Sequence, residues 1–211
     1  MAYDVEQQES ISAFKAWFER YGNGIMGAAI VVLAAVAANS GWRWYQGRES
    51  AAAAAVFEQY EQAVSGKDLN KAKELAGALV QQHGSSAYAG LAALTQARLS
   101  LEAGDAAAAK AQLQWVIDHS GEREFAALAR VRLAGVLLDE KAYDQGLALL
   151  QADAPVAMAA QFSDRRGDLL LAQGKAADAR AAYAKALEQA GAQDPLRALI
   201  QSKLDGLPAA G

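Results

Sequence analysis

Between Tyr21 and Trp42 the chain reads YGNGIMGAAIVVLAAVAANSGW, without one charged side chain. Wound as an α-helix at about 1.5 Å per residue, this run is ~33 Å long, close to the ~30 Å hydrocarbon thickness of a bilayer. Its densest apolar part is Ile25 to Ala38, and Tyr21, Ile25, Ile30, Leu33, Val36 and Trp42 mark the expected lipid-facing span. Trp17, Phe18 and Tyr21 precede it and Trp42, Trp44 and Tyr45 follow it, where interfacial aromatics anchor a spanning helix. Two other readings stand beside a permanent anchor. Ala35-Val36-Ala37 resembles a small-residue cleavage site, although Asp4, Glu6, Glu9 and Glu19 make the preceding segment a poor signal-peptide start. The alanine and glycine content would also suit a buried core helix. Flanking charge does not orient the span, because Lys15 and Arg20 on one side balance Arg43 and Arg48 on the other.

After Tyr45 the pattern becomes Ala, Leu and Gln with scattered charge at helical period. Alanine, the best helix former, dominates a composition that is 53% hydrophobic, and only three prolines interrupt it. Long Val/Ile/Thr alternation is absent, so strands have little support. The chain therefore divides into a segment 1–20, a span and interface 21–45, and a helical domain 46–211. A net charge of −4 with both signs well mixed argues against nucleic acid, which wants a basic face. The absence of cysteine excludes disulfides, thiolate zinc sites and thiol catalysis.

Within the helical domain, self-similarity recurs at about 34 residues, the tetratricopeptide period. Small residues stand at Ala97, Ala134 and Gly167; twelve on come Ala109, Gly146 and Ala179; four further come Leu113, Leu150 and Tyr183. The small residues let two helices of a hairpin approach, and the large one fills the space between hairpins. Turns fall at 102–105, 139–142 and 172–175. An earlier hairpin, Arg48–Gln82 with its turn at Ser65-Gly66-Lys67, fits the pattern loosely. After Asp194-Pro195, LRALIQSKLDGL reads as a closing helix with Asp194 as N-cap and Pro195 first in the helix. The fold class is thus all-α: one N-terminal transmembrane helix, then a right-handed solenoid of tetratricopeptide-like hairpins.

No catalytic constellation is evident, and no cofactor or metal is expected. His83 and His119 each sit at a helix end, where an imidazole can bond the last carbonyls. Gly22, Gly24 and Gly27 follow no strand, so they do not form a phosphate loop. Asp164, Arg165 and Arg166 read as a solvated helix face. Function then falls to a binding surface. By repeat position Leu91, Leu94, Arg98 and Leu101 should face a groove from one hairpin, and Leu128, Val131 and Leu138 from the next, fit for an apolar helix or extended segment. The alternative is that the helix after the span folds back and buries those residues as core.

The span exit GWRWYQ (41–46), the helix SAAAAAVFEQYEQAV (50–64) and the hairpins together resemble the ancillary subunit of the bacterial Sec translocon over nearly the whole chain. The resemblance implies a non-enzymatic, single-pass inner-membrane protein with segment 1–20 in the cytoplasm and domain 46–211 in the periplasm. It implies Sec translocon subunits and a membrane-anchored periplasmic prolyl-isomerase-type chaperone as partners. Secreted or outer-membrane polypeptides would be the clients, and a link to envelope stress regulation is implied too. A membrane-anchored scaffold for envelope assembly or division would share the architecture, and a regulator acting through residues 1–20 is a third possibility.

Overall fold

The computed structural model describes residues 2–207, which divide into two units between Glu49 and Ser50. Helix α1 (Ala2–Ser65) contributes to both. In the first unit Met26, Ile30, Val31, Val32, Leu33, Val36 and Trp42 are each more than half exposed. The most apolar 18-residue window has a mean hydropathy of 1.8 and none of it is buried. A water-soluble helix packs such residues away, since bare apolar patches beyond a few hundred Å² mark interaction or membrane surfaces. The buried-core reading of this segment is thereby overturned, and the helix is a transmembrane one. The side chains of Phe18, Arg20, Ile25 and residues 43–46 lie outside the described residues.

Among the described residues of the second unit, the rest of α1 pairs with α2 (Leu69–Gln82), α3 (Ala87–Glu102) with α4 (Ala106–His119), α5 (Arg123–Asp139) with α6 (Tyr143–Leu149), and α7 (Ala159–Ala172) with α8 (Ala176–Gln189). Four hairpins result, and α9 (Leu196–Asp205) closes the stack. Each hairpin turns the same way. Lys67, Gly104, Lys141 and Gly174 all have positive φ, and they are spaced 37, 37 and 33 residues apart. At each, the next residue's N–H reaches back to the first helix: Asp68 to Ala63, Asp105 to Ser100, Ala142 to Leu137 and Lys175 to Leu170, at 2.8–3.0 Å. This closure satisfies carbonyls that a helix C-terminus otherwise leaves unpaired. Side chains of Asp68, Ser86 and Asp105 cap α2, α3 and α4 by accepting from the N–H three residues on.

Two of the four turn positions thus hold lysine where glycine is strain-free. Lys141→Gly is expected to raise unfolding free energy by about 0.5–1 kcal/mol, and Gly174→Ala to lower it by about 1 kcal/mol. A Cβ on Gly174 meets nothing within 4 Å, so its effect is purely conformational. Urea unfolding of the full chain in detergent reads both, and equal signs would refute the assignment.

The repeat residues fill the core as their spacing dictates. Ala97, Ala109, Leu113, Ala134, Leu150, Ala179 and Tyr183 are all at most 3% exposed, and Gly146 and Gly167 are buried with them. A Cβ on Gly146 would lie 2.9 Å from Leu169 Cδ2, and one on Gly167 2.6 Å from Tyr183 Cδ1. The loosely matching first hairpin is equally packed: Ala53, Tyr60 and Ala63 of α1 bury against Leu75, Ala76, Leu79, Ala89 and Ala92. The third hairpin departs from the others. Its return helix α6 has 7 residues, against 14 in α2, α4 and α8. A recess of about 640 Å³ opens there over Leu133, Leu137 and Leu149, bridged by the 2.6 Å Lys110–Glu140 ion pair.

The closing helix is held at both ends. Asp194 Oδ1 accepts from the Leu196 N–H at 2.9 Å, next to Pro195. Ile200 and Leu207 bury against Ala179, Tyr183 and Ala186, and the Arg197 guanidinium donates to the Leu187 and Ala190 carbonyls at the end of α8.

Candidate functional site

The first helices of successive hairpins, α1, α3, α5 and α7, share one face of the second unit. Three residues before each positive-φ turn position stands an apolar side chain: Val64, Leu101, Leu138 and Leu171. Leu101 and Leu171 are 40% and 39% exposed, while Val64 and Leu138 are half-buried. Between α1 and α3 the face dips into a recess of about 180 Å³ walled by Phe57, Tyr60, Glu61, Val64 and Thr95. Burial pushes the Tyr60 phenol up to about 12, against the opposing effects of a hydrogen bond with Thr95 and the Arg98 charge. Its hydroxyl donates to the Ala92 carbonyl at 3.3 Å.

The seven groove residues expected from repeat position do not stand together. Leu91 and Leu101 are exposed on α3, and Arg98 is exposed beside them, paired with Glu102 at 2.6 Å. Leu94, however, is 4% exposed and belongs to the core shared by α3, α4 and α5. Leu128 packs on that same core, and Val131 and Leu138 pack on the next one, with Phe162 and Leu169 of α7. The reason is geometric. First helices lie side by side, so positions facing the neighbouring hairpin are sealed in the seam, and only those a further turn round reach solvent. Leu94 is therefore removed from the candidate surface, and Leu171 and the α1–α3 recess, which period alone did not mark, join it.

Arginines punctuate the same face. Arg132 on α5 is half-buried and donates through Nη1 to the Leu94 carbonyl at 3.2 Å. Its guanidinium is held below its ordinary value by burial and then by the Arg98 charge. Arg165 on α7 lies over Gly135 of α5, with its Cζ 3.5 Å from where a Cβ would stand, and pairs with Asp168 at 3.1 Å.

Of residues 164–166, read as a solvated face, Arg166 is exposed, but behind Arg165 lies a cluster that takes Asp164 out of solvent. Asp164 is 9% exposed. Lys203 of α9 donates to both its oxygens at 2.8 and 2.9 Å and to Asp168 Oδ1 at 2.8 Å. The Tyr183 hydroxyl donates to that same Asp168 oxygen at 2.8 Å. Burial raises the Asp164 carboxyl, opposed by its bond from Lys203, and burial with the Asp168 bond raises the Tyr183 phenol. One lysine holding two carboxylates is a structural clasp that fastens α9 to α7. His119 Nδ1 lies 3.0 Å from the Trp115 carbonyl with its ring stacked on Trp115, and His83 closes the end of α2. Among the described residues no three His, Cys, Asp or Glu side chains gather as metal ligands.

A transmembrane helix joined to stacked hairpins with an apolar, arginine-punctuated face defines a membrane-bound tetratricopeptide-like scaffold. The profile of a family described as a tetratricopeptide repeat-like domain matches residues 15–209. Proteins named ancillary SecYEG translocon subunit align along nearly their full length. That of Neisseria gonorrhoeae is 30% identical over 98% of this chain and 100% of its own. That of Aggregatibacter actinomycetemcomitans is 27% identical over 98% and 100%, and that of Escherichia coli 26% identical over 95% and 96%. The chain belongs to the family these proteins form, the tetratricopeptide repeat-like ancillary subunits of the SecYEG translocon.

Proposed function

We propose that the protein is a non-enzymatic adaptor of the SecYEG translocon: its span lies beside the channel, and its hairpins present a docking face to a periplasmic chaperone or an emerging polypeptide. The observation that carries this reading is a transmembrane helix and solvent-facing leucines on the first helices of the hairpins, Leu91, Leu101 and Leu171, in one chain. The relatives' shared name supports the translocon as the site of action. In this reading residues 1–20 are cytoplasmic and the hairpins periplasmic, and the chaperone is a membrane-anchored protein of prolyl-isomerase type. A role of residues 1–20 in envelope stress regulation would be an added function of the same protein.

In-cell photocrosslinking tests it, with the crosslinker at Gly41 and Trp42 on the exposed end of the span and at Leu91 and Leu101 on the hairpin face. Captured proteins are identified by mass spectrometry. Span-exit crosslinks to translocon subunits and hairpin crosslinks to a chaperone or nascent chain are expected. Crosslinks confined to division or outer-membrane assembly proteins would replace the adaptor with an envelope scaffold.

A further inference from the structure

On the docking face one guanidinium has no carboxylate partner among the described residues. Arg132 makes one hydrogen bond, to the Leu94 carbonyl, and no carboxylate among the described residues pairs with it. Half-buried cations are ordinarily matched by an acid, because a desolvated charge without one is costly. The Leu94 carbonyl that Arg132 bonds lies one helical turn before Arg98, another cation, whose charge acts on the Arg132 guanidinium. Among the described residues the only carboxylate paired with Arg98 is Glu102, an exposed i,i+4 neighbour whose side chain is 57% accessible. Exposed pairs of this kind are worth under about 1 kcal/mol and exchange readily for a better partner. Arg165 shows the contrast: it is matched by Asp168 on its own helix.

Leu91 and Leu101 lie on α3 to either side of Arg98, three residues or more away, and both reach solvent. The combination selects a ligand chemistry. A planar guanidinium binds carboxylate through paired N–H···O bonds, stronger than neutral hydrogen bonds. Apolar side chains on each flank demand apolar neighbours in the ligand. We propose that Arg98 and Arg132 form a carboxylate-binding pair on the docking face, and that the face takes an acidic, leucine-bearing polypeptide segment. This rests on the docking-face reading above and specifies what docks there: Asp or Glu of the segment lies between the two guanidinium groups, and its leucines lie on Leu91 and Leu101.

Three short fluorescent peptides with the same leucine spacing test it, their polar positions filled with glutamate, glutamine or lysine. Binding to the full chain in neutral detergent is followed by anisotropy. The glutamate peptide should bind about tenfold more tightly than the glutamine one, and the advantage should fade as salt rises. Arg98→Gln, at an exposed position, should remove most of that advantage. Arg132→Gln should do the same and Arg132→Lys should retain part of it, which separates charge from fold. Glu102→Gln should strengthen glutamate-peptide binding severalfold by releasing Arg98, a change of sign that a structural role for these residues would not produce. Equal binding of the glutamate and glutamine peptides would overturn the carboxylate pair and leave an apolar docking face. Binding of none would overturn the docking face as well, whereas the placement beside the translocon stands or falls on the span-exit crosslinks.

Discussion

Arginine at both Ile30 and Leu33 is expected to expel the chain from the membrane fraction. The two positions are 61% and 67% exposed and lie near the middle of the uncharged run. A single arginine at the centre of a spanning helix costs about 2.5–3.5 kcal/mol on insertion scales, so the pair costs ~6 kcal/mol. The native run is moderately apolar because alanine and glycine fill much of it, and it has little margin to offset such a penalty. Carbonate extraction followed by fractionation reads the result. The hairpins should stay folded in the released protein, because their cores draw on residues from Ala53 onward. Full retention in the membrane would mean that another part of the chain holds it there.

Gly167→Ala is expected to destabilise the domain by about 2 kcal/mol, although alanine is the better helix former. The added methyl would meet the Tyr183 ring at Cδ1, Cε1 and Cζ, with 2.8 Å to Cζ. That ring is 1% exposed and cannot swing away without breaking the hydroxyl bond to Asp168. Overpacking of this kind costs about 1–3 kcal/mol, and the severed bond, which leaves a buried hydroxyl unpaired, adds about 1–2, against about 1 recovered in helix propensity. Tyr183→Leu makes room for the methyl, so the double variant should be more stable than the sum of the two single changes indicates. Equilibrium unfolding of the four-member cycle measures that coupling. A purely additive result would show that helix α7 shifts freely to absorb the methyl.

The span was legible because an uncharged apolar run of that length matches the thickness of a bilayer, and the exposed row of Met26 to Val36 agrees with it. The hairpins were legible because small-then-large spacing leaves a direct mark, as at Gly167 and Tyr183. The first hairpin matched loosely for two reasons: Tyr60 occupies the position held elsewhere by Ala97, Ala134 and Gly167, and Lys67 holds a positive φ that glycine would have advertised. The docking face was only partly legible. Periodicity assigns Leu91 and Leu94 to one side of α3, but which of them the neighbouring helix covers depends on how α3 and α5 pack. The Asp164–Lys203 clasp joins residues 39 apart on different helices, and nothing local in the sequence marks either as a partner.

The seven-residue α6 sets where this array gives way first. In a stack of hairpins cohesion is the sum of neighbouring contacts, and the seam with the shortest return helix contributes least. On its C-terminal side α7, α8 and α9 are bound together by Lys203, Tyr183 and Arg197. The array is therefore expected to open as two blocks that meet at Leu150 to Met158. Amide protons of α6 should exchange ahead of those in α4 and α8, and a protease should nick the chain near the fully bared Val156 before it reaches either block.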